Sequence, residues 1–109
     1  FSSGEEIRGC DLDRVTRGVI AEAGYGEYFV HRTGHSLHEC IHGNGAHLDD
    51  FETYDDRKLI PGTLFTVEPG IYMPDKRIGI RSEVDVYHTG QGAEVTGPPH
   101  QEELVRIEI

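Results

Sequence analysis

Only one segment of this chain has the periodicity of an α-helix, and that feature limits the fold more than any other. From Asp11 to Ala23, apolar residues recur at helical spacing, which predicts an amphipathic helix with one apolar face. The face consists of Leu12, Val15, Val19, Ile20 and Ala23. Asp11 is a suitable N-cap and Gly24 a suitable C′ residue. A domain with a single helix has to build the rest of its core from strands.

The remainder of the chain consists of short strand-like segments, which are separated by polar or glycine-containing turns. Strands are predicted over residues 37–42, 64–68, 71–73, 79–88, 93–96 and 104–109. The polar segment from His42 to Lys58 predicts a long loop. One helix followed by antiparallel-looking strands indicates an α+β fold.

Length and charge narrow the function further. The 109 residues suit a single domain, 1–109. A formal net charge of −10 argues against nucleic acid or a membrane as partner, because both require a basic surface. No apolar run is long enough to span a bilayer, and the two cysteines form no disulfide framework, which predicts a cytoplasmic location. Because the chain begins at Phe1, we expect it to be processed, trimmed or part of a longer protein.

The stretch HRTGHSLHECIH, from His31 to His42, contains four of the seven histidines. Neutral imidazole is the commonest protein ligand for transition metals, and histidine is also a frequent acid–base catalyst. The cluster therefore indicates a metal site or an acid–base site, with a chance clustering of histidines as the alternative. His35 follows Gly34, which would let the backbone come close to whatever the ring binds. His31 and His35 could share a cation, but Arg32 between them favours separate roles, with His35 as ligand and His31 as hydrogen-bond donor to a substrate.

Two carboxylates complete the candidate metal site. Glu68 ends a predicted strand immediately before Pro69, and Glu83 lies within a predicted strand, on the same face as Arg81. Manganese, cobalt, iron and zinc all accept imidazole nitrogen and carboxylate oxygen. An ordinary surface ion pair between Arg81 and Glu83 is the alternative, since exposed pairs of this kind are abundant.

Other signs of catalytic chemistry are weak. No nucleophile elbow of the G-x-S-x-G type is present, and Cys40 with His42 forms a Cys–His pair without an evident oxyanion hole. The remaining histidines sit in polar or turn-rich surroundings and are predicted bystanders. They are His38, His47, His88 and His100.

Three motifs, in order, carry a family resemblance: AEAGYGEYFVHRTGHS, PGTLFTVEPGIYMP and GIRSEVDVY. Together they resemble the second half of the catalytic domain of Xaa-Pro dipeptidases (prolidases) and Xaa-Pro aminopeptidases. These enzymes belong to the pita-bread family with methionine aminopeptidase and creatinase. The resemblance spans nearly the whole chain and implies the C-terminal half of a pita-bread fold, a curved antiparallel sheet covered by helix.

The resemblance also implies a metallopeptidase that cleaves the bond before a proline in second position. Its members bind two divalent ions, usually manganese or cobalt and sometimes zinc or iron, through two aspartates, one histidine and two glutamates. The matching residues here are His35, Glu68 and Glu83 as metal ligands, Glu68 also as general base, His31 and His42 as substrate-contacting residues, and Arg81 as support for the bridging Glu83. His38 and Glu39 stand where small residues are common in the family, which affects the predicted substrate preference.

The two family aspartates lie upstream of the first matching helix, so this chain carries three of five ligands. Three arrangements would account for that: an inactive truncated chain, pairing with a separate chain that supplies the N-terminal half, or a homodimer. A catalytically inactive half-domain that acts as a binding or scaffold module is the alternative function.

Overall fold

A computed structural model describes all 109 residues, with one α-helix and six strands. The elements are α1 (Gly9–Glu22), β1 (Ser36–Leu37), β2 (Leu64–Val67), β3 (Gly70–Met73), β4 (Ile78–Arg81), β5 (Val84–His88) and β6 (Ala93–Val95). Four strands form an antiparallel sheet in the order β1-β2-β5-β6, while β3 and β4 pair as a separate antiparallel hairpin. The predicted α+β class is confirmed. No helix is long and apolar enough to cross a bilayer.

The start of α1 differs from the prediction, whereas its end agrees. Asp11 is not the N-cap, because the helix begins two residues earlier and Arg8 occupies the cap position. The Asp11 carboxylate instead accepts the Arg8 backbone N–H at 2.9 Å from within the first turn, a reciprocal arrangement typical of a capping box. Gly24 has a φ of +91° directly after the C-cap, as expected for a C′ glycine.

The predicted apolar face of α1 is wrong in most of its members. Val15 and Val19 are 66% and 65% exposed, and the buried residues of the helix are Gly9, Cys10 and Asp13. The helix can approach the loop closely because Gly9 has no side chain, and a Cβ there would overlap the carbonyl oxygen of His47. Of the predicted face, Leu12 still packs against the core, but the fully buried side of the helix is set by close backbone packing and a buried carboxylate.

The core forms where the sheet meets the long loop. It consists of Ala46, Leu48, Leu59, Phe65 and Val86, against which Phe1, Ile7, Leu12, Val67 and Val84 pack. The predicted loop from His42 to Lys58 contains no strand or helix. It nevertheless supplies Ala46 and Leu48 to the core, so it is a structural layer and not a peripheral connection.

Two strand predictions are wrong and a third is shortened. Residues 79–88 form two strands, β4 and β5, which face β3 and β2 in one register, with Val67 opposite Val84 and Gly70 opposite Arg81; the ladder is interrupted at Pro69, which has no N–H to donate. Residues 104–109 form no strand, and their apolar side chains lie exposed with no neighbouring strand to pair with. The segment from Leu37 to His42 contributes only the end of the two-residue β1.

Candidate metal centre

The register of the central sheet brings the two predicted glutamate ligands together. Val67 at the end of β2 pairs with Val84 at the start of β5. In an antiparallel pair the next positions face each other, so Glu68 lies opposite Glu83 at the edge where both strands end. Like charges placed directly opposite across a strand pair are destabilising unless something balances them.

His35 is held beside these carboxylates by the neighbouring strand. Its backbone N–H donates to Oγ1 of Thr66 at 2.9 Å, and the Thr66 N–H donates to the His35 carbonyl at 2.8 Å. Gly34 makes this approach feasible, since a Cβ there would overlap the carbonyl oxygen of Thr66. Gly34 was expected to let the backbone approach a ligand. In the structure it instead lets the backbone pack closely against β2.

The His35 ring is oriented with one nitrogen free to bind. Nδ1 lies 3.0 Å from the carbonyl oxygen of Ser36, and because a carbonyl only accepts, Nδ1 carries the proton in the neutral ring. Nε2 then presents its lone pair to Oε2 of Glu68 at 3.5 Å. Two acceptor atoms that face each other call for a cation or a proton between them.

Glu83 also lacks sufficient compensation for its charge. Partial burial, followed by the neighbouring charge of Glu68, raises its pKa above the usual value. The opposing influence is Arg81, whose Nη2 lies 3.7 Å from Oε2 of Glu83, and both side chains are about half exposed. An exposed pair at this distance contributes little, so the two carboxylates and the imidazole retain unbalanced negative potential.

The types of donor atom suit a divalent cation, but the number of ligands that come together is too small to hold one. One imidazole nitrogen and carboxylate oxygens are ligands that manganese, cobalt, zinc and iron share. No three His, Cys, Asp or Glu side chains of the chain converge closely enough to hold a metal ion together. His35 and Glu68, with Glu83 across from Glu68, therefore gather suitable donor atoms without forming a complete metal site.

The two predicted substrate histidines occupy different surroundings. The exposed His42 lies edge-on to His35, with ring centroids 4.4 Å apart. His31 has both nitrogens engaged: Nδ1 lies 2.7 Å from the Arg32 carbonyl oxygen, and Nε2 lies 2.8 Å from the hydroxyl of Tyr72. With Nδ1 protonated, the Tyr72 hydroxyl donates to Nε2, so His31 would have to exchange that contact before it could donate to a substrate.

Sequence reasoning missed three side chains around this site. Thr66 and Tyr72 gave no signal beyond strand alternation. His47, predicted to be a bystander, accepts the Ser36 N–H on Nδ1 at 2.9 Å and so fixes the backbone next to His35. Burial, together with the charges of Arg32 and Arg57, lowers the pKa of His47, which favours the neutral ring that this contact requires.

The remaining predicted bystanders lie in other surroundings. His88 is buried and stacks on the Phe1 ring, with centroids 3.8 Å apart. His38 and His100 are exposed. Cys10 is a buried free thiol, and Cys40 an exposed one.

Comparison with known proteins places this chain in a family. The profile of metallopeptidase family M24 matches residues 4–90. The "Probable dipeptidase PepE" of Mycobacterium bovis is 44% identical over 91 residues, which cover 83% of this chain and 23% of that protein.

Two solved structures have a similar fold. The Xaa-Pro dipeptidase from Bacillus anthracis aligns with a TM-score of 0.77 and 42% identity, over 88% of this chain and 26% of that one. The dipeptidase PepE from Mycobacterium ulcerans aligns with a TM-score of 0.76 and 37% identity, over 88% and 25%. The chain thus spans about a quarter of the length of these relatives. Its antiparallel sheets and single helix match the pita-bread half-domain predicted from the sequence. The chain belongs to metallopeptidase family M24, and the resemblance identified from its three motifs is confirmed.

Proposed function

We propose that this chain supplies one half of a two-metal active site that hydrolyses the peptide bond preceding a proline. The observation that carries the proposal is the contact of His35 Nε2 with Glu68 Oε2 at 3.5 Å, with Glu83 directly across the strand pair. The substrate class rests on the motif resemblance and on relatives such as the Xaa-Pro dipeptidase from Bacillus anthracis.

In this proposal His35, Glu68 and Glu83 would hold the ions, and Arg81, 3.7 Å from Glu83, would support that carboxylate. When bound, divalent ions supply Lewis acidity, which polarises the scissile carbonyl and makes water a better nucleophile. Manganese or cobalt is proposed, with zinc or iron as alternatives, because this donor set suits all four.

Glu68 is also the proposed general base. It takes a proton from the attacking water and returns it to the proline nitrogen as the peptide bond breaks. His42 lies edge-on to His35 and exposed, so it can donate to the substrate carbonyl. His31 contacts the substrate and steadies the tetrahedral intermediate once its Nε2 exchanges the Tyr72 hydroxyl for the substrate.

The remaining ligands have to come from outside the residues of this chain. The resemblance implies two aspartates, and we propose that a separate N-terminal half or a second copy of the chain provides them. The absence of three converging ligands within the chain favours a second candidate, a half-domain that binds without hydrolysis. The two functions differ in whether a metal-loaded assembly cleaves peptides.

Metal binding by the purified chain, measured by calorimetry with Mn²⁺ and Co²⁺, tests the proposal. We expect binding that is lost in Glu83→Gln and retained in Glu94→Gln, a matched change at an exposed position. Sedimentation in the same buffers reports self-association. Hydrolysis of an Xaa-Pro dipeptide by the metal-loaded assembly supports the peptidase, and binding without hydrolysis supports the second candidate. Absence of any binding would refute the metal site.

A further inference from the structure

An ion pair on α1, between the buried Asp13 and the partly exposed Arg17, contacts the segment that carries His31. The Asp13 side chain has no exposed surface and receives four hydrogen bonds. Two come from Nε and Nη2 of Arg17, one turn along the helix, at 3.0 and 3.1 Å. The other two come from the backbone N–H and the hydroxyl of Thr33, at 2.9 and 2.8 Å. Burial opposes ionisation of Asp13, but these bonds outweigh it and lower its pKa.

Arg17 extends this contact to the segment that carries His31. Its Nη1 donates to the Phe29 carbonyl at 2.9 Å, and its Nη2 donates to the His31 carbonyl at 2.8 Å. The guanidinium also stacks between two aromatic rings, 4.1 Å from the Phe29 centroid and 4.5 Å from the Phe51 centroid. Phe29 in turn packs edge-on against the His31 ring at 5.3 Å. One guanidinium therefore fixes both the backbone and the ring neighbour of His31.

Thr33 connects the same ion pair to the proposed general base. Its N–H and hydroxyl point to Asp13, while its carbonyl oxygen accepts the backbone N–H of Glu68 at 2.7 Å. Hydrogen bonds thus join both His31 and Thr33 to α1. Thr33 is in addition bonded to the backbone of Glu68.

Stability alone does not explain this arrangement. The Asp13 carboxylate loses its hydration completely, whereas the Arg17 side chain stays 22% exposed, and pairing a buried charge is frequently no better for stability than apolar residues of the same volume. What the pair does supply is direction, since a planar guanidinium donates along fixed axes to several acceptors at once. Those acceptors are backbone carbonyls of the segment that carries His31.

We propose that Asp13 and Arg17 are positioning residues, which hold the segment from Phe29 to Thr33 so that the His31 ring and Glu68 face the metal centre. This inference rests on the roles proposed above for His31 and Glu68. It assigns a role in the site to the buried face of the only α-helix, from which no functional residue was predicted.

The test uses nitrogen NMR of the ¹⁵N-labelled, metal-free chain, which reports the protonated nitrogen of each imidazole. For His31 in the unmodified chain we expect the Nδ1–H form, held by the Arg32 carbonyl. In Arg17→Gln the His31 signals should shift toward a mixture of both tautomers. Calorimetry should then show Mn²⁺ affinity lower by about tenfold, the lower range for residues that orient a metal ligand through another group.

Arg14→Gln is the matched control, because it removes an arginine from the same helix that pairs with Asp50 at 2.6 Å and makes no contact with the His31 segment. It should leave the His31 spectrum and the Mn²⁺ affinity unchanged. Arg17→Lys keeps the charge but cannot serve all the acceptors of Arg17, so it should give a smaller change in the same direction and serves if Arg17→Gln does not fold.

A second matched pair addresses Thr33. Thr33→Ser keeps the hydroxyl bond to Asp13 and should resemble the unmodified chain, whereas the nearly isosteric Thr33→Val should reproduce the effect of Arg17→Gln. If a folded Arg17 variant and Thr33→Val both leave the His31 spectrum unchanged, the positioning role is refuted, even where Mn²⁺ binds. If the His31 spectrum changes as expected but the unmodified chain binds no Mn²⁺, the positioning holds and the proposed metal site fails.

Discussion

Asp55 offers the sharpest test of how the long loop is held. Its side chain is 6% exposed and accepts the His47 backbone N–H at 2.8 Å. It also accepts the Arg57 N–H at 3.2 Å and pairs with the Arg57 guanidinium at 2.6 Å. Burial opposes ionisation, but the Arg57 and His47 hydrogen bonds outweigh it and lower the pKa of Asp55 from 3.8 to about 2. This carboxylate is thus more acidic in the folded chain than in the unfolded one.

The pKa difference sets the size and the pH dependence of the effect. One pKa unit corresponds to about 1.4 kcal/mol, so ionised Asp55 contributes roughly 2 kcal/mol to the free energy of unfolding. Because the folded-state pKa is the lower one, this contribution is fully present above about pH 4 and is lost as the pH falls toward 2. Asp55→Asn keeps the shape but removes the charge, and should therefore lower stability by about 2 kcal/mol at pH 7.

Urea unfolding followed by circular dichroism at pH 7 and pH 2 measures this difference. At pH 7 the free energy of unfolding of Asp55→Asn should be lower than that of the unmodified chain, and at pH 2 most of this difference should disappear. Asp56→Asn, the exposed neighbour, is the matched control and should stay within about 0.5 kcal/mol at both values. A deficit that is negligible at pH 7, or one that persists unchanged at pH 2, would refute the reasoning.

Three further changes test other features. Glu83→Gln removes one of two opposed charges, so the metal-free chain should gain about 0.2–1 kcal/mol in thermal unfolding with EDTA present, and a loss of stability would contradict the crowding of Glu68 and Glu83. Gly34→Ala forces a Cβ onto the Thr66 carbonyl and should cost about 1–3 kcal/mol in urea unfolding; an unchanged midpoint would disprove that close approach. Val15→Thr should change stability by less than about 0.5 kcal/mol, and a drop well above that, in the same assay, would show that this helix face is covered.

Local patterns in the sequence predicted a good part of this structure. The helix and its end at Gly24 were predicted, because helical periodicity and a C′ glycine are properties of neighbouring residues. The strands over Leu64–Val67 and Gly70–Met73, divided at Pro69, were found for the same reason. The motifs identified the family, and the comparisons confirmed it. The site roles of His35, Glu68 and Glu83 remain predictions that the metal titration has to test.

Other features depended on contacts between residues far apart in the chain. Asp13 faces inward from α1 because it bonds to Thr33. That partner lies twenty residues away in the sequence, so no local pattern could have predicted the contact. The strand predicted over 79–88 divides because Pro69, on the facing segment, has no N–H and interrupts the ladder between β2–β3 and β4–β5, although the alternation of residues 79–88 is continuous. Residues 104–109 alternate as a strand should, but no neighbouring strand receives them.

The sequence by itself determined the family, the α+β class and the side chains available for chemistry, since these depend on residue identity and short-range spacing. Only the tertiary structure decided that Glu68 stands beside Nε2 of His35 and that Glu83 lies across from Glu68. It also decided that a buried carboxylate, and not an apolar stripe, faces inward from α1. The physical reason is that strand register and the burial of a charge are set by partners distant in sequence, whose hydrogen bonds decide which polar groups can leave water.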